Sequence, residues 1–262
     1  MQTFSSDGVE IAYLDTGMDD ASHAARPAVL LIHGFASNVA ANWVHPGWVR
    51  TLTDAGYRVV AFDNRGHGQS QRLHDLNAYG APLMAEDARR LLDHLRLPAA
   101  HVLGYSMGAR ISAFLLLNHP ERVASAIFGG LGVNMVRGMK GSRETIAEAL
   151  EAASLEDVTD PGGRTFRAFA EHTQSDLKSL AACMRSASAP ITAQALAHVT
   201  RPVLVAVGTE DGVAGSGAEL AALIPGARSF SIPGRDHMKA VGDRSFKTAV
   251  IEFLQDIASA AQ

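Results

Sequence analysis

The sequence predicts an α/β fold, in which a mostly parallel central sheet is flanked by helices. Short apolar runs recur along the chain, and each has the length of a strand that is buried on both faces. These runs cover residues 28–32, 59–62, 101–103, 123–128 and 203–207. Between them lie segments with the period of an amphipathic helix, and such an alternation is typical of parallel α/β sheets.

The first predicted element is an antiparallel hairpin near the start of the sequence. Asp7 and Gly8 can adopt the positive φ angles that a two-residue turn requires. Val9, Ile11 and Tyr13 then alternate with the period of a half-buried strand. The sequence therefore predicts an antiparallel hairpin at this point.

A helix and a late strand complete the predicted core. Ala88, Leu91, Leu92 and Leu95 recur at the spacing of one helical face, which predicts a helix after the strand at 59–62. Residues 229–232 are expected to form the last strand.

Residues 131–200 differ from the rest of the chain, because they contain no apolar run of strand length. The segment is interpreted as several short helices that are interrupted at 161–163 and at Pro190, with Ser175 as an expected N-cap. The predicted organisation is an α/β core, residues 1–130 and 201–262, with a helical cap over residues 131–200.

The charge balance excludes several classes of partner. Of 262 residues, 27 are acidic and 23 are Lys or Arg, which gives a formal net charge of -4. The longest basic run is the pair Arg89 and Arg90, so neither nucleic acid nor a membrane is an expected partner. A small, uncharged or weakly charged molecule is the expected ligand, and the protein is expected to be a monomer or a homodimer.

Cysteine content and short motifs argue against a metal or a cofactor. Cys183 is the single cysteine, so no intrachain disulfide or multi-cysteine metal site can form, and a packed thiol is expected. Gly66-His67-Gly68 lacks the lysine of a phosphate-binding loop, and no His-x-x-x-His pair is present. The first residues have neither the basic start nor the apolar stretch of a signal peptide, which favours a cytoplasmic location. No cofactor and no metal are expected.

The clearest chemical signature is the segment Gly104-Tyr105-Ser106-Met107-Gly108. It follows the predicted strand at 101–103 and precedes an apolar helical run, so this G-x-S-x-G motif lies at a strand-turn-helix junction. On a turn this sharp, the backbone crowds the positions two residues before and two residues after the serine. Those positions, Gly104 and Gly108, must therefore lack side chains. Ser106 is therefore a candidate nucleophile.

A serine nucleophile needs a base that accepts its proton and an acid that orients the base. His237 is the only histidine after position 198, and it follows the predicted strand at 229–232, so it is the candidate base. Asp211 is the candidate acid, because it lies in the turn directly after the strand at 203–207. Glu210 and Asp236 are the competing carboxylates, although Glu210 precedes the turn and Asp236 is the chain neighbour of His237.

These residues together resemble the α/β-hydrolase family. The chain order Ser106, Asp211, His237 is that of the family, and a His-Gly pair at 33–34 follows the first parallel strand. The segment 63–70, Asp-Asn-Arg-Gly-His-Gly-Gln-Ser, follows the next strand in the same way.

The resemblance implies roles for further residues. In the family, the residue after the His-Gly pair and the residue after the nucleophile offer backbone N–H groups to an oxyanion. These residues correspond to Phe35 and Met107. His33 and His67 are implied to support their loops rather than to transfer protons.

Members of the family catalyse several different reactions. The residue at position 106 and the composition of the insertion indicate which of these reactions the chain could catalyse. Haloalkane dehalogenases and epoxide hydrolases carry an aspartate where this chain has Ser106, and epoxide hydrolases also use cap tyrosines, whereas residues 131–200 contain no Tyr or Trp. The predicted function is a serine hydrolase that cleaves small-molecule carboxylic esters with small to medium acyl chains. One alternative is an enol-lactone or C–C bond hydrolase. The other is a ligand receptor built on a hydrolase scaffold, which would differ from an enzyme in showing nearly single-turnover kinetics.

Apolar side chains near the cap are predicted to bind the acyl chain. The candidates are Met135, Met139, Phe166, Phe169 and Met238. A roof made only of apolar groups discriminates weakly between homologous chains, so a gradual dependence on chain length is expected.

Overall fold

Eight strands form one sheet at the centre of the computed structural model, which describes residues 1–19, 25–138, 143–186 and 189–260. In chain order the strands are β1 (Gln2–Ser6), β2 (Val9–Asp15), β3 (Ala28–Ile32), β4 (Arg58–Phe62), β5 (Ala100–Tyr105), β6 (Val123–Gly129), β7 (Val203–Gly208) and β8 (Arg228–Ile232). Across the sheet their order is β1-β2-β4-β3-β5-β6-β7-β8. β1 with β2 and β2 with β4 pair antiparallel, and the other neighbours pair parallel. The predicted fold class is confirmed.

Helices connect the strands and cover both faces of the sheet. Within the described ranges the α-helices are α1 (Thr16–Asp19), α2 (Trp48–Asp54), α3 (Ala81–His94), α4 (Met107–Asn118), α5 (Asn134–Arg137), α6 (Arg143–Glu151), α7 (Pro161–His172), α8 (Leu177–Arg185), α9 (Ala193–Leu196), α10 (Gly217–Ala221) and α11 (Arg244–Ala260). A π-helical turn forms at Ala40–Val44, and 3-10 turns form at Leu76–Ala78, Pro120–Arg122, Leu155–Asp157 and Ala240–Gly242. None of these helices combines the length and the hydropathy of a membrane-spanning segment.

The predicted N-terminal hairpin is confirmed, and its turn is the one expected. Asp7 and Gly8 have φ angles of 53° and 81°, and Ser6 pairs with Val9 across them. Two successive residues with positive φ match the twist of antiparallel strands, which explains the choice of Asp-Gly at this point.

The central strands are apolar throughout because both faces of the sheet are covered. In β3, Leu30 and Ile32 pack into the core on one face, whereas Val29 and Leu31 pack with Trp48 on the other. Successive side chains of a strand point to opposite faces, so a strand covered on both sides has no position for a polar residue.

Helices α5 to α9 lie between β6 and β7, in the described part of residues 131–200. The expected interruption at 161–163 is wrong, because Pro161 is the first residue of α7. The first turn of a helix has no acceptor for its N–H groups, so proline is well tolerated there. Asp160 caps this helix by accepting a hydrogen bond from the Gly163 N–H at 2.6 Å.

The expected N-cap of α8 is also wrong by one residue. Asp176, not Ser175, is the cap, and its carboxylate accepts from the Ser179 N–H at 2.7 Å. The helices of the insertion then bury a small apolar cluster against the sheet domain, in which Leu150 and Leu180 pack with Phe35 and Tyr79. This contact fixes the insertion beside the loop that follows β3.

Candidate active site

Ser106 occupies a sharp, strained turn between β5 and α4. Its φ and ψ angles are 55° and −113°, a conformation that residues with a Cβ rarely adopt. A Cβ on Gly104 would overlap the carbonyl group of Gly108, and a Cβ on Gly108 would overlap the carbonyl oxygen of Ile32. The two glycines of the motif are therefore required by backbone contacts, and the turn holds the Ser106 side chain away from the strand.

A continuous chain of hydrogen bonds joins Ser106, His237 and Asp211. His237 Nε2 lies 2.9 Å from Ser106 Oγ, and His237 Nδ1 lies 2.8 Å from Asp211 Oδ2. A carboxylate can only accept, so the ring carries its proton on Nδ1 and leaves Nε2 free to accept from the serine hydroxyl. The side chain of Asp211 is fully buried, and 11% of the His237 side chain is exposed. The structure thus brings the three residues together.

The two competing carboxylates lie elsewhere. Asp236 accepts from the N–H groups of Met238 and Lys239 and forms an ion pair with the Lys239 ammonium at 3.1 Å. Glu210 is exposed. Neither is the hydrogen-bond partner of His237 in the structure.

Backbone and tyrosine contacts fix the positions of the acid and the base. The other carboxylate oxygen of Asp211 accepts from the N–H groups of Val213 and Ala214, at 2.8 and 2.9 Å. The Tyr105 hydroxyl donates to the carbonyl oxygen of His237 at 2.6 Å. Burial, followed by the negative charge of Asp211, raises the pKa of Tyr105, so the hydroxyl keeps its proton. Tyr105 was not singled out by the sequence, although it adjoins the nucleophile.

Phe35 and Met107 lie next to Ser106 at one cavity. Both residues line the cavity that contains Ser106, and a Cβ on Gly34 would lie 3.4 Å from the Cβ of Ser106. In the part of the chain that the structure describes, neither the Phe35 N–H nor the Met107 N–H has a hydrogen-bond acceptor. Two unpaired donors beside a serine hydroxyl can bind the oxygen of a polarised carbonyl.

Two buried histidines brace the loop beneath these amides. His33 donates from Nδ1 to the Gly34 carbonyl at 2.7 Å and accepts at Nε2 from the Asn64 N–H at 2.9 Å. Burial lowers the pKa of His33 to about 4, and burial together with the charge of His33 lowers the pKa of His67 to about 3. Both rings are neutral near pH 7 and have no access to solvent, so they are placed to support the loop.

Two adjoining cavities open at Ser106. The larger, about 300 Å³, is lined by Met107, Phe166 and Met184 among others. The smaller, about 100 Å³, is lined by His237, Phe169 and Met238. Ser106, Phe35 and Phe166 line both cavities.

Comparison with known proteins identifies the fold. Residues 27–131 match the family described as the alpha/beta hydrolase fold. A Mycobacterium tuberculosis protein named as a non-heme bromoperoxidase, BpoC, is 26% identical over 272 residues, which span 95% of this chain and 99% of that protein. A hydrolase from Pseudomonas aeruginosa PA01 has a solved structure with a TM-score of 0.78 and 26% identity, covering 97% of each chain. The chain has the α/β-hydrolase fold. An enol-lactonase from Burkholderia xenovorans LB400 shares the fold at 20% identity, with a TM-score of 0.77 over 97% of this chain and 100% of that one.

Only some of the five predicted acyl-binding residues line the cavities at Ser106. Phe166, Phe169 and Met238 line the cavities at Ser106. Met135 does not, because it is 1% exposed and packs into the core beneath them. Met139 lies outside the described residues.

The expectation of a purely apolar roof is wrong. Arg110 of α4 and Arg143 of α6 line the larger cavity, and Asn134 and Ser186 add further polar groups. The sequence did carry a signal for Arg110, since it is the only charged residue in the otherwise apolar helix α4. Arg143 had no comparable signal, because it begins a helix with charged residues on its solvent face.

The described residues contain no group of three His, Cys, Asp or Glu side chains that could hold a metal ion. Cys183 is buried at the wall of the larger cavity, and burial raises the pKa of its thiol to about 12. The thiol is therefore protonated near neutral pH and is a poor nucleophile.

Proposed function

We propose that this α/β-hydrolase is a serine hydrolase that cleaves carboxylic esters with small to medium acyl chains. The observation that carries the proposal is the hydrogen-bonded sequence Ser106, His237, Asp211 at the junction of two cavities. A neutral imidazole that accepts from a serine hydroxyl and donates to a buried carboxylate is the arrangement that activates serine toward carbonyl carbon.

In the proposed reaction, Ser106 Oγ bonds to the ester carbonyl carbon while its proton passes to His237 Nε2. Asp211 stabilises the resulting imidazolium, and the carbonyl oxygen gains a negative charge. His237 then returns the proton to the alkoxy oxygen, so the alcohol leaves and an acyl ester on Ser106 remains. Water, deprotonated by His237, attacks that ester, and the acid departs as Ser106 recovers its proton.

The amides of Phe35 and Met107 are proposed to stabilise the oxyanion. Their N–H groups have no acceptor among the described residues, so binding an oxyanion would satisfy two otherwise unpaired donors. A single donor of this kind typically contributes about 10² to 10³ in rate, because it is already oriented when charge develops.

We also propose that the helices of residues 131–200 act as a cap on the hydrolase core. Support comes from the larger cavity, to which this segment contributes Arg143, Phe166, Cys183 and Met184. An acyl group bound to Ser106 would lie between these side chains and those of the core.

The proposal is tested with the Ser106→Ala variant. We expect loss of hydrolysis of p-nitrophenyl esters by about 10⁴- to 10⁶-fold in kcat, and loss of labelling by a fluorophosphonate probe. The matched control is Ser186→Ala, which removes another serine hydroxyl from the wall of the same cavity and should keep the labelling. Undiminished labelling of the Ser106→Ala protein would refute the assignment of the nucleophile, and labelling of the wild type without repeated turnover of any ester or lactone would favour a ligand receptor.

A further inference from the structure

Two arginines face the larger cavity without a carboxylate partner. Arg110 donates to the carbonyl oxygens of Met135 at 2.8 Å and Ala189 at 2.5 Å, and Arg143 donates to those of Met184 and Cys183. In the described part of the chain neither guanidinium makes an ion pair, and no Asp or Glu lines the cavity. Each guanidinium has five N–H donors, so both keep donors free.

The buried arginines elsewhere in the protein are arranged differently. Arg58 pairs with Asp15, Arg65 pairs with Asp87, and Arg167 pairs with Glu171. Arg167 is the closest structural parallel, because it also donates to three backbone carbonyls of the insertion. Each of these buried guanidinium groups thus has a counter-ion, whereas the half-buried Arg110 and Arg143 have none among the described residues.

Arg110 and Arg143 also repel each other. Both groups line the same cavity, and burial, followed by the positive charge of Arg143, lowers the pKa of Arg110. Two like charges that line one partly desolvated cavity are unfavourable, and an anion bound between them would offset their repulsion. A carboxylate suits this position, because guanidinium groups bind it through paired, charge-assisted hydrogen bonds.

The two cavities indicate which part of an ester would carry the anion. His237, which would protonate the leaving alcohol, lines the smaller cavity and not the larger one. The alcohol therefore belongs on the side of the smaller cavity, and the acyl group on the side of Arg110 and Arg143.

We propose that the acyl group of the substrate ends in a carboxylate, held by Arg110 and Arg143 in the cavity beside Ser106. This inference rests on the proposed function, and it specifies the substrate class as monoesters, or the corresponding lactones, of dicarboxylic acids. Arg110 is tied through the Ala189 and Met135 carbonyls to the insertion, so the same side chain joins the core, the insertion and the bound anion.

The experiment compares esters that differ only at the end of the acyl chain. Monomethyl glutarate is paired with methyl pentanoate, and monomethyl adipate with methyl hexanoate, and methanol release gives kcat/KM for each. We expect the wild type to prefer the monoesters, and Arg110→Met or Arg143→Met to lower that preference roughly 10- to 100-fold, mainly through KM, since each removes a charge-assisted hydrogen bond. Arg164→Met removes an exposed arginine of the insertion that also donates to a carbonyl and should leave the preference unchanged.

Equal losses on both members of a pair would mean that Arg110 and Arg143 only tie the structure together, and would overturn the inference. Calorimetric titration with adipate separates this failure from failure of the proposed function. If adipate binds in a salt-sensitive way that Arg110→Met weakens, the anion site stands even where no ester is hydrolysed. If neutral esters are hydrolysed but adipate does not bind, the hydrolase assignment stands and the anion site is refuted.

Discussion

The two walls of the larger cavity are built on different principles. On the core side, Ser106 and Met107 lie where β5 turns into α4, and backbone contacts dictate the residue types around them. On the insertion side, Arg143, Phe166 and Met184 belong to three separate helices, and only the packing of those helices brings them to one place. The comparison teaches that the reacting groups are specified locally and the groups that would contact the acyl chain are specified by long-range packing.

The largest effect is expected on the core side, at the carboxylate that orients His237. Asp211→Asn keeps the shape of the side chain but favours the wrong tautomer of the imidazole, so kcat should fall by about 10⁴-fold. Asp236→Asn and Glu210→Gln are the matched controls, because each removes a nearby carboxylate that His237 does not contact. The Asp211 assignment fails if its variant stays active while either control loses activity in an ester assay.

Next in size is a structural effect at the same turn. Gly108→Ala places a methyl group against the carbonyl of Ile32, where the backbone of β3 cannot move without disrupting the sheet. We expect the free energy of unfolding to fall by roughly 1 to 3 kcal/mol or more, measured by urea denaturation. Gly212→Ala is the control, since nothing lies within 4 Å of the added carbon. Equal stability of the two variants would contradict the steric account of the motif.

The buried histidines of the core side predict how stability depends on pH. His33 and His67 stay neutral in the folded protein down to about pH 4 and about pH 3, whereas in the unfolded chain a histidine gains its proton near pH 6.5. Below pH 6.5 the unfolded state therefore binds more protons, and the free energy of unfolding should fall by about 1.4 kcal/mol per pH unit for each histidine.

This contribution is fully present above about pH 6.5 and is lost as the pH falls toward 4 and 3. In urea denaturation between pH 7 and 4, His67→Gln should reduce the slope, and His198→Gln, at an exposed site, should not. A slope that is the same in both variants would show that His67 is protonated in the folded state.

The smallest effects are expected on the insertion side, and they should divide between the two cavities. Met184 lines only the larger cavity and Phe169 only the smaller one. Met184→Ala should shift the preferred acyl chain toward longer homologues by about tenfold, because space for a methylene is worth about 1 to 3 kcal/mol. Phe169→Ala should instead broaden the choice of alcohol. One series of esters that varies the acyl chain and one that varies the alcohol measure the two preferences. If Met184→Ala changed the choice of alcohol, or Phe169→Ala the choice of acyl chain, the assignment of the two cavities would be wrong.

The sequence was most informative where the backbone restricts the residue. The turn at Asp7 and Gly8, the glycines that flank Ser106 and the order of the buried strands all followed from local rules, and the structure confirms the fold that they predicted. His237 and Asp211 could be chosen because so few candidates follow β7 and β8 in the chain.

The sequence was least informative about the helix boundaries and cavity residues of the insertion, because several local patterns there fit two different structures. A proline can end a helix or begin one, and Pro161 begins one because Asp160 precedes it as a cap. Met135 resembles a pocket residue in composition but packs into the core. Arg143 resembles a solvent-exposed arginine in the sequence, but the fold places it at the same cavity as Ser106.

The contacts that position His237 and Asp211 come from outside the insertion. Tyr105 at the end of β5 holds the His237 carbonyl, and the turn after β7 holds Asp211 through its own amides. The insertion supports this turn only through its first residues, because Gly132 and Asn134 donate to the carbonyl oxygens of Ala214 and Val213. In evolutionary terms the helices after Asn134 form a separate module, because a change in their length or charge would leave the hydrogen bonds that Tyr105, Val213 and Ala214 make to His237 and Asp211 in place.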